Sequence, residues 1–239
     1  MNTKTAVITG ASRRLGLFLT ESFLDNGWGV VAITRNSSEH LTRLACNQLT
    51  VYELKEYNEN NIIYTIEKIK HTKKLIKTII HNASIYEDDD DHTNDFFQYY
   101  QTLFTIHMAM PSLLNLQLAP LLYNAQDPGC IIHITDIYAE NPSSKSTLYS
   151  STKAGLDNLT KGLAKKMAPG IRVNSIQPGP IKFLPKHSHI DKEKILAKSL
   201  LPFEGGFLPI YKAIMSIIDN NYITGASIKV DGGRSLGDW

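Results

Sequence analysis

The 239-residue chain contains only two cysteines, Cys46 and Cys130. Two thiols at that spacing outline neither a disulfide framework nor a metal site, and Cys130, heading an apolar run, reads as core. No stretch approaches the roughly eighteen consecutive apolar residues of a membrane span. The first residues lack a signal-peptide pattern and enter an apolar run at once, so a cytoplasmic location is expected. Strong charge of one sign is missing as well. Lys and Arg number 25 against 23 Asp and Glu, a formal net charge of +2, which creates no field to gather nucleic acid. The chain has neither internal repeats nor a Gly/Ser- or Pro-rich linker, so one domain over 1–239 is expected. Glu87-Asp-Asp-Asp-Asp91, with His92 and Asp95, invites a hard-cation reading. Consecutive like charges repel, however, and a solvated, mobile loop is the expectation, with no bound metal.

Apolar, β-branched runs alternate with segments of helical periodicity. Strands are expected near 4–9, 29–34, 49–53, 76–81, 130–135, 172–177 and 227–231. That alternation predicts an α/β fold: one Rossmann-type, doubly wound parallel sheet of about seven strands, with helices on both faces.

Two motifs carry chemistry. The first strand runs into Gly10-Ala-Ser-Arg-Arg-Leu-Gly16 and then a helical stretch, which stops at Asn26-Gly27. In a strand–glycine–helix turn, free N–H groups at a helix start point at a pyrophosphate. Gly10 permits the tight turn and Gly16 a close backbone approach. The middle glycine position of the dinucleotide fingerprint is held by Arg14, so this motif alone also fits an ordinary turn. The second motif is Tyr149-Ser-Ser-Thr-Lys153, with Asp136 thirteen positions upstream at the end of an apolar run. Four residues span about one helical turn, so Tyr149 and Lys153 share a face. An ammonium near the phenol is expected to draw its pKa down from about 10, toward proton transfer.

Together these segments resemble the short-chain dehydrogenase/reductase family. The landmarks are Thr9-Gly10 through Gly16, His81-Asn82-Ala83, Tyr149 with Lys153, Asn174-Ser-Ile-Gln-Pro-Gly179, and Ile223-Thr-Gly225 leading to Val230-Asp-Gly-Gly233. The departures carry more information. Arg14 and Ser84 stand where the family commonly has Gly, and Asp136 where it has Ser. With the aromatic Tyr86, these changes are similar to the pteridine reductase branch.

The resemblance implies NADPH as cofactor, held by Gly10, Ser12, Arg14, Leu15, Asn82, Ala83, Ser84, Tyr149, Lys153, Pro178, Gly179 and Ile181. Arg35, Asn36 and Ser37 end the second strand with no acid before Glu39, and Arg at this place accommodates a 2′-phosphate. Glu53 matches the family's adenine-edge position. The implied substrate is a 7,8-dihydropterin, contacted by Arg14, Ser84, Tyr86, Asp136 and Tyr149, with Tyr86 stacking on its flat ring. Asp136, Tyr149 and Lys153 are the expected catalytic residues. An ionised Asp is acceptor-only and repels a carbonyl oxygen, whereas an Asp–Tyr pair suits a ring nitrogen that must gain a proton.

His107 matches a position where the family often has a relay Asn, and proton relay and plain packing both stay open for it. Residues 182–203 resemble the family's variable substrate loop, with helical character near 191–200. A homotetramer is implied by the resemblance alone. The rival expectations are a carbonyl or 3-oxoacyl-acyl-carrier reductase, in which Asp136 does the work of Ser, and a non-catalytic nucleotide-binding sensor on the same fold.

Overall fold

A computed structural model describes residues 4–72, 74–183 and 188–237. Seven strands form one parallel sheet: β1 (Thr5–Thr9), β2 (Gly29–Thr34), β3 (Leu49–Glu53), β4 (Ile76–His81), β5 (Gly129–Ile134), β6 (Ile171–Pro178) and β7 (Ser227–Val230). Their order is β3-β2-β1-β4-β5-β6-β7. Each expected strand is present, displaced by no more than one residue at either end. The sharpness has a physical cause. Strands covered on both faces favour apolar, β-branched residues, and β1, β2, β4, β5 and β6 are buried at every position, polar side chains such as Arg172 and Asn174 included.

The helices are α1 (Arg14–Asp25), α2 (Glu39–Arg43), α3 (Glu59–His71), α4 (Phe96–Phe104), α5 (Met110–Leu122), α6 (Thr147–Met167), α7 (His189–Leu196) and α8 (Leu208–Asp219). Alternate strand residues feed two cores. Val7, Ile79, Ile131 and Val173 pack with α3, α5 and the distal half of α6. Ala6, Ile8, Ile80 and Ile132 pack with α1 and α8. The strand carboxyl ends and the turns that leave them are thereby fixed on one edge, where ligands bind in open α/β sheets.

Two local features differ from expectation, and a third was not anticipated. The acidic segment is not a free loop: Asp89 accepts from Thr147 N at 2.7 Å, and its own N–H donates to the Lys145 carbonyl at 2.7 Å. His92 bridges Glu87 and Asp95 at 2.6 and 3.0 Å and stacks on Tyr99, which explains how adjacent carboxylates are tolerated. In the substrate segment the helix covers His189–Leu196, earlier than the periodicity suggests, and residues 184–187 lie outside the described residues. Finally, a π-helical turn over Thr105–Ala109 joins α4 to α5 and carries His107 into the interior. Among the described residues no helix is long and apolar enough to cross a membrane.

Candidate active site

The glycine turn is built by exclusion. Gly10 has φ +67, and a Cβ there would lie 2.7 Å from Ala83 Cα; a Cβ on Gly16 would lie 2.0 Å from the Gly10 carbonyl oxygen. The Asn82 amide donates to the carbonyls of Thr9 and Gly10 at 3.2 Å, while Thr9 Oγ1 accepts from the N–H groups of Asn82 and Ala83 at 3.0 Å. Strand ends β1 and β4 are thus tied where a dinucleotide would pass. Helix α1 opens with no side-chain cap and no acid in its first turn, leaving its start free to meet an anion. Leu15 is buried beneath this turn, and the Ser12 carbonyl accepts from Ser38 Oγ at 2.6 Å.

Arg14 adopts φ +50, the left-handed region, at the position where the family resemblance places a glycine. A non-glycine residue pays on the order of 1–2 kcal/mol for that conformation. Such strain points to a role for the side chain. Its guanidinium donates to the Lys182 carbonyl at 2.5 Å, joining the glycine turn to the start of the variable segment. Ahead of that segment, Gly179 packs so closely on Asp231 that a Cβ would lie 2.8 Å from its side chain. Pro178 ends β6, and the Ile181 carbonyl accepts from Gly206 N at 2.8 Å.

At the end of β2, Arg35, Asn36 and Ser37 are exposed. Glu53 is turned toward them, its Oε1 accepting from Ser37 N at 2.9 Å. Arg13 is exposed, yet its charge and that of Arg35 both act on the phenol of Tyr57. Two cations therefore flank one neighbourhood. The signal available in the sequence was Arg13 itself, a second cation beside Arg14.

The reacting corner lies where β5 ends and α6 begins. Tyr149 donates to Asp136 Oδ2 at 2.9 Å, and Asp136 Oδ1 accepts from Tyr138 N at 2.9 Å. Lys153 is buried, donates to the Ile134 carbonyl at 2.9 Å, and stands 5.5 Å from the Tyr149 ring centre. Tyr86 meets Tyr149 edge-on, with 4.9 Å between ring centres and its own surface half exposed. His107 packs against the same phenol ring at 5.5 Å. Asp136, Tyr149, Lys153, Ser84 and Tyr86, far apart in sequence, are thus gathered around one phenol.

Electrostatics correct one expectation. Tyr149 is held well above its ordinary pKa by burial, reinforced by the charge of Asp136 and by its hydrogen bond to that carboxylate. Lys153 does not draw it down, because the ammonium is turned to a backbone carbonyl and the carboxylate is nearer. Burial lowers the Lys153 pKa to about 8, with Asp136 opposing the shift. Asp136 itself is raised by burial, against the Tyr138 N–H, the Lys153 charge and the Tyr149 hydroxyl. The corner favours a protonated phenol beside a carboxyl group that takes up a proton more readily than usual.

The sequence profile described as short chain dehydrogenase matches residues 4–193. The chain belongs to the short-chain dehydrogenase/reductase family of oxidoreductases. Among its relatives is a dihydromonapterin reductase of Enterobacter sp. (strain 638), 33% identical over 231 residues that cover 96% of each chain. The dihydromonapterin reductase of Klebsiella pneumoniae is also 33% identical, again over 96% of both. Two solved structures share the fold. A 4-hydroxyisoleucine dehydrogenase complexed with NADH has a TM-score of 0.90 at 23% identity, covering 99% of this chain and 100% of that one. An alternative dihydrofolate reductase 1 from Brucella canis complexed with NADP has a TM-score of 0.88 at 23% identity, covering 100% of this chain and 96% of that one.

Proposed function

We propose that the protein is an NADPH-dependent reductase of a 7,8-dihydropterin, dihydromonapterin-like or dihydrofolate-like, forming the tetrahydropterin. The observation that carries this reading is the 2.9 Å hydrogen bond from Tyr149 to a buried Asp136 whose pKa is raised. A ketone oxygen requires neutral donors, and a carboxylate beside the phenol offers none while ionised. A ring nitrogen requires a proton, which this pair supplies. The relatives named for dihydromonapterin reduction support the same substrate class.

The chain's own groups fit a dinucleotide: the side-chain-free turn at Gly10 and Gly16, the uncapped start of α1, and the exposed Arg35, Asn36 and Ser37. NADPH held there would supply a hydride, taken up at C6 of the dihydropterin. Tyr149 donates its proton at N5, and a proton relayed from solvent through Asp136 restores the phenol. Lys153, buried beside the phenol, holds the nicotinamide ribose, and its charge works against the burial that raises Asp136. Ser12, Leu15, Asn82, Ala83, Pro178, Gly179 and Ile181 line the cofactor's path, with Glu53 at the adenine edge. Arg14, Ser84 and Tyr86 contact the pterin. We assign the whole chain to one domain working in the cytoplasm as a homotetramer, which gives Phe96, Phe97 and Phe104, exposed on α4, a surface to cover.

The test is NADPH oxidation at 340 nm with dihydromonapterin, dihydrofolate and a simple ketone, each repeated with NADH. Turnover of a dihydropterin with NADPH and little with the ketone is expected; a good ketone substrate contradicts the reading. For the cofactor, Arg35→Ala should raise the NADPH KM far more than the NADH KM, losing about 1.5–3 kcal/mol of charge-assisted hydrogen bonding. Equal use of both cofactors by the unaltered enzyme contradicts the clamp.

A further inference from the structure

Buried Thr152 and His107 lead to the exposed Ser84 in a rail whose hydrogens can be assigned by counting. Thr152 Oγ1 lies 2.8 Å from the Tyr149 carbonyl oxygen, which can only accept, so the one threonine proton is spent there. The same Oγ1 lies 2.8 Å from His107 Nδ1 and has only a lone pair left to offer. His107 Nδ1 therefore carries the hydrogen. A neutral imidazole carries one hydrogen, leaving Nε2 bare, and Nε2 stands 2.9 Å from Ser84 Oγ. Ser84 must donate into that nitrogen. Its other carbonyl acceptor, Ile85, is distant at 3.4 Å. Burial and the charge of Lys153 keep His107 neutral, well below the ordinary imidazole pKa.

The consequence lies at the substrate. With its proton held by His107, Ser84 faces the reacting corner as an acceptor. The imidazole that holds Ser84 Oγ packs on the Tyr149 ring at 5.5 Å, which sets the hydroxyl on that side of the phenol. On the other side of the phenol stands Asp136, also accepting. Tyr149 is then the one donor between two acceptors. We propose that His107 is a positioning residue that fixes Ser84 as an acceptor, so that the corner holds a single donor and selects a substrate atom that takes one proton over one that needs two donors. This rests on the dihydropterin reading and deepens it: the imine nitrogen N5 has one lone pair and needs one proton, whereas a ketone oxygen with two lone pairs meets one donor and two repelling lone-pair groups. The π-helical turn over Thr105–Ala109 is the backbone device that brings His107 between Ser84 and Thr152.

Two measurements decide it. Long-range proton–nitrogen NMR of the histidine-labelled, NADPH-loaded enzyme reads the tautomer without any substrate. Hydrogen on Nδ1 with bare Nε2 is expected; hydrogen on Nε2, or a protonated ring at pH 7.5, overturns the proposal. In kinetics, His107→Leu frees the Ser84 proton and should raise the dihydropterin KM by roughly 10-fold with the NADPH KM little changed. Gln places an acceptor close to the Nε2 position, so His107→Gln should recover most of that loss. Equal KM values for the Leu and Gln variants, or no rise in either, overturn the assignment. Should the unaltered enzyme reduce no pterin, the substrate reading fails while the tautomer measurement still decides the role of His107.

Discussion

Replacing Tyr149 with Phe should lower turnover by ~10²–10⁴-fold, the usual contribution of a positioned general acid. NADPH affinity should stay within about twofold, because only an interaction made in the transition state is removed. The geometry explains why no neighbour substitutes. Asp136 receives the Tyr149 hydroxyl at 2.9 Å, but its other oxygen is occupied by the Tyr138 N–H. Ser84 has committed its proton to His107. Lys153 is turned to the Ile134 carbonyl. Single-turnover kinetics with NADPH and a dihydropterin check the point, and retention of more than about half the rate removes Tyr149 from the chemistry.

Acid should unfold the protein earlier than its composition suggests. His81 donates from Nε2 to Asn115 Oδ1 at 2.7 Å, and the Asn115 amide donates to His133 Nε2 at 2.9 Å. His133 Nδ1 in turn meets Thr160 at 2.7 Å, so every contact fits neutral rings. The second nitrogen of His81, Nδ1, is buried without a partner. Burial pushes the His81 pKa down from 6.5 to about 4, and those of His107 and His133 well below the ordinary value.

In the unfolded chain these rings bind protons near pH 6.5; in the folded protein they do not. Their stability contribution is therefore complete above about pH 6.5 and is lost as pH falls toward the folded value. For His81 alone the loss is about 3 kcal/mol, most of it spent by pH 4.5. His107 and His133 add in the same direction. Asp136, whose pKa is raised, acts oppositely and regains stability when it is protonated. Urea unfolding at pH 7.5 and 4.5 measures the balance; equal stability at the two values contradicts buried neutral histidines.

The sheet was legible because burial on both faces leaves a mark at every residue, as in Cys130-Ile-Ile-His-Ile. The glycine turn and the Tyr149–Lys153 pair were legible because both depend on spacing within one element. What escaped depends on contacts across the chain. Spacing ranks Lys153 as the phenol's partner, but the fold sets Asp136 closer and buries the pair, reversing the direction of the Tyr149 shift. His107 stayed open between relay and packing because its partners, Ser84 and Thr152, lie 23 and 45 positions away. The acidic segment is solvated as its charge requires, but its anchors, Lys145 and Thr147, belong to a distant turn and gave no local sign. Asn115 gave no sign of bridging two histidines, since a lone Asn in an apolar helix carries no partner information.

The central claim is that Asp136 makes this site a protonator of a ring nitrogen rather than a holder of a carbonyl oxygen. It is tested most directly by the ratio of kcat/KM for a 7,8-dihydropterin to that for a simple ketone, measured for the unaltered enzyme and for Asp136→Ser. Serine cannot recharge Tyr149 as a carboxylic acid does, but it restores a neutral donor beside the phenol. The account predicts a high ratio that falls by ~10²-fold or more in the variant, chiefly through lost pterin turnover. A wild-type enzyme that reduces the ketone well, and a serine variant that reduces it better, would contradict the account.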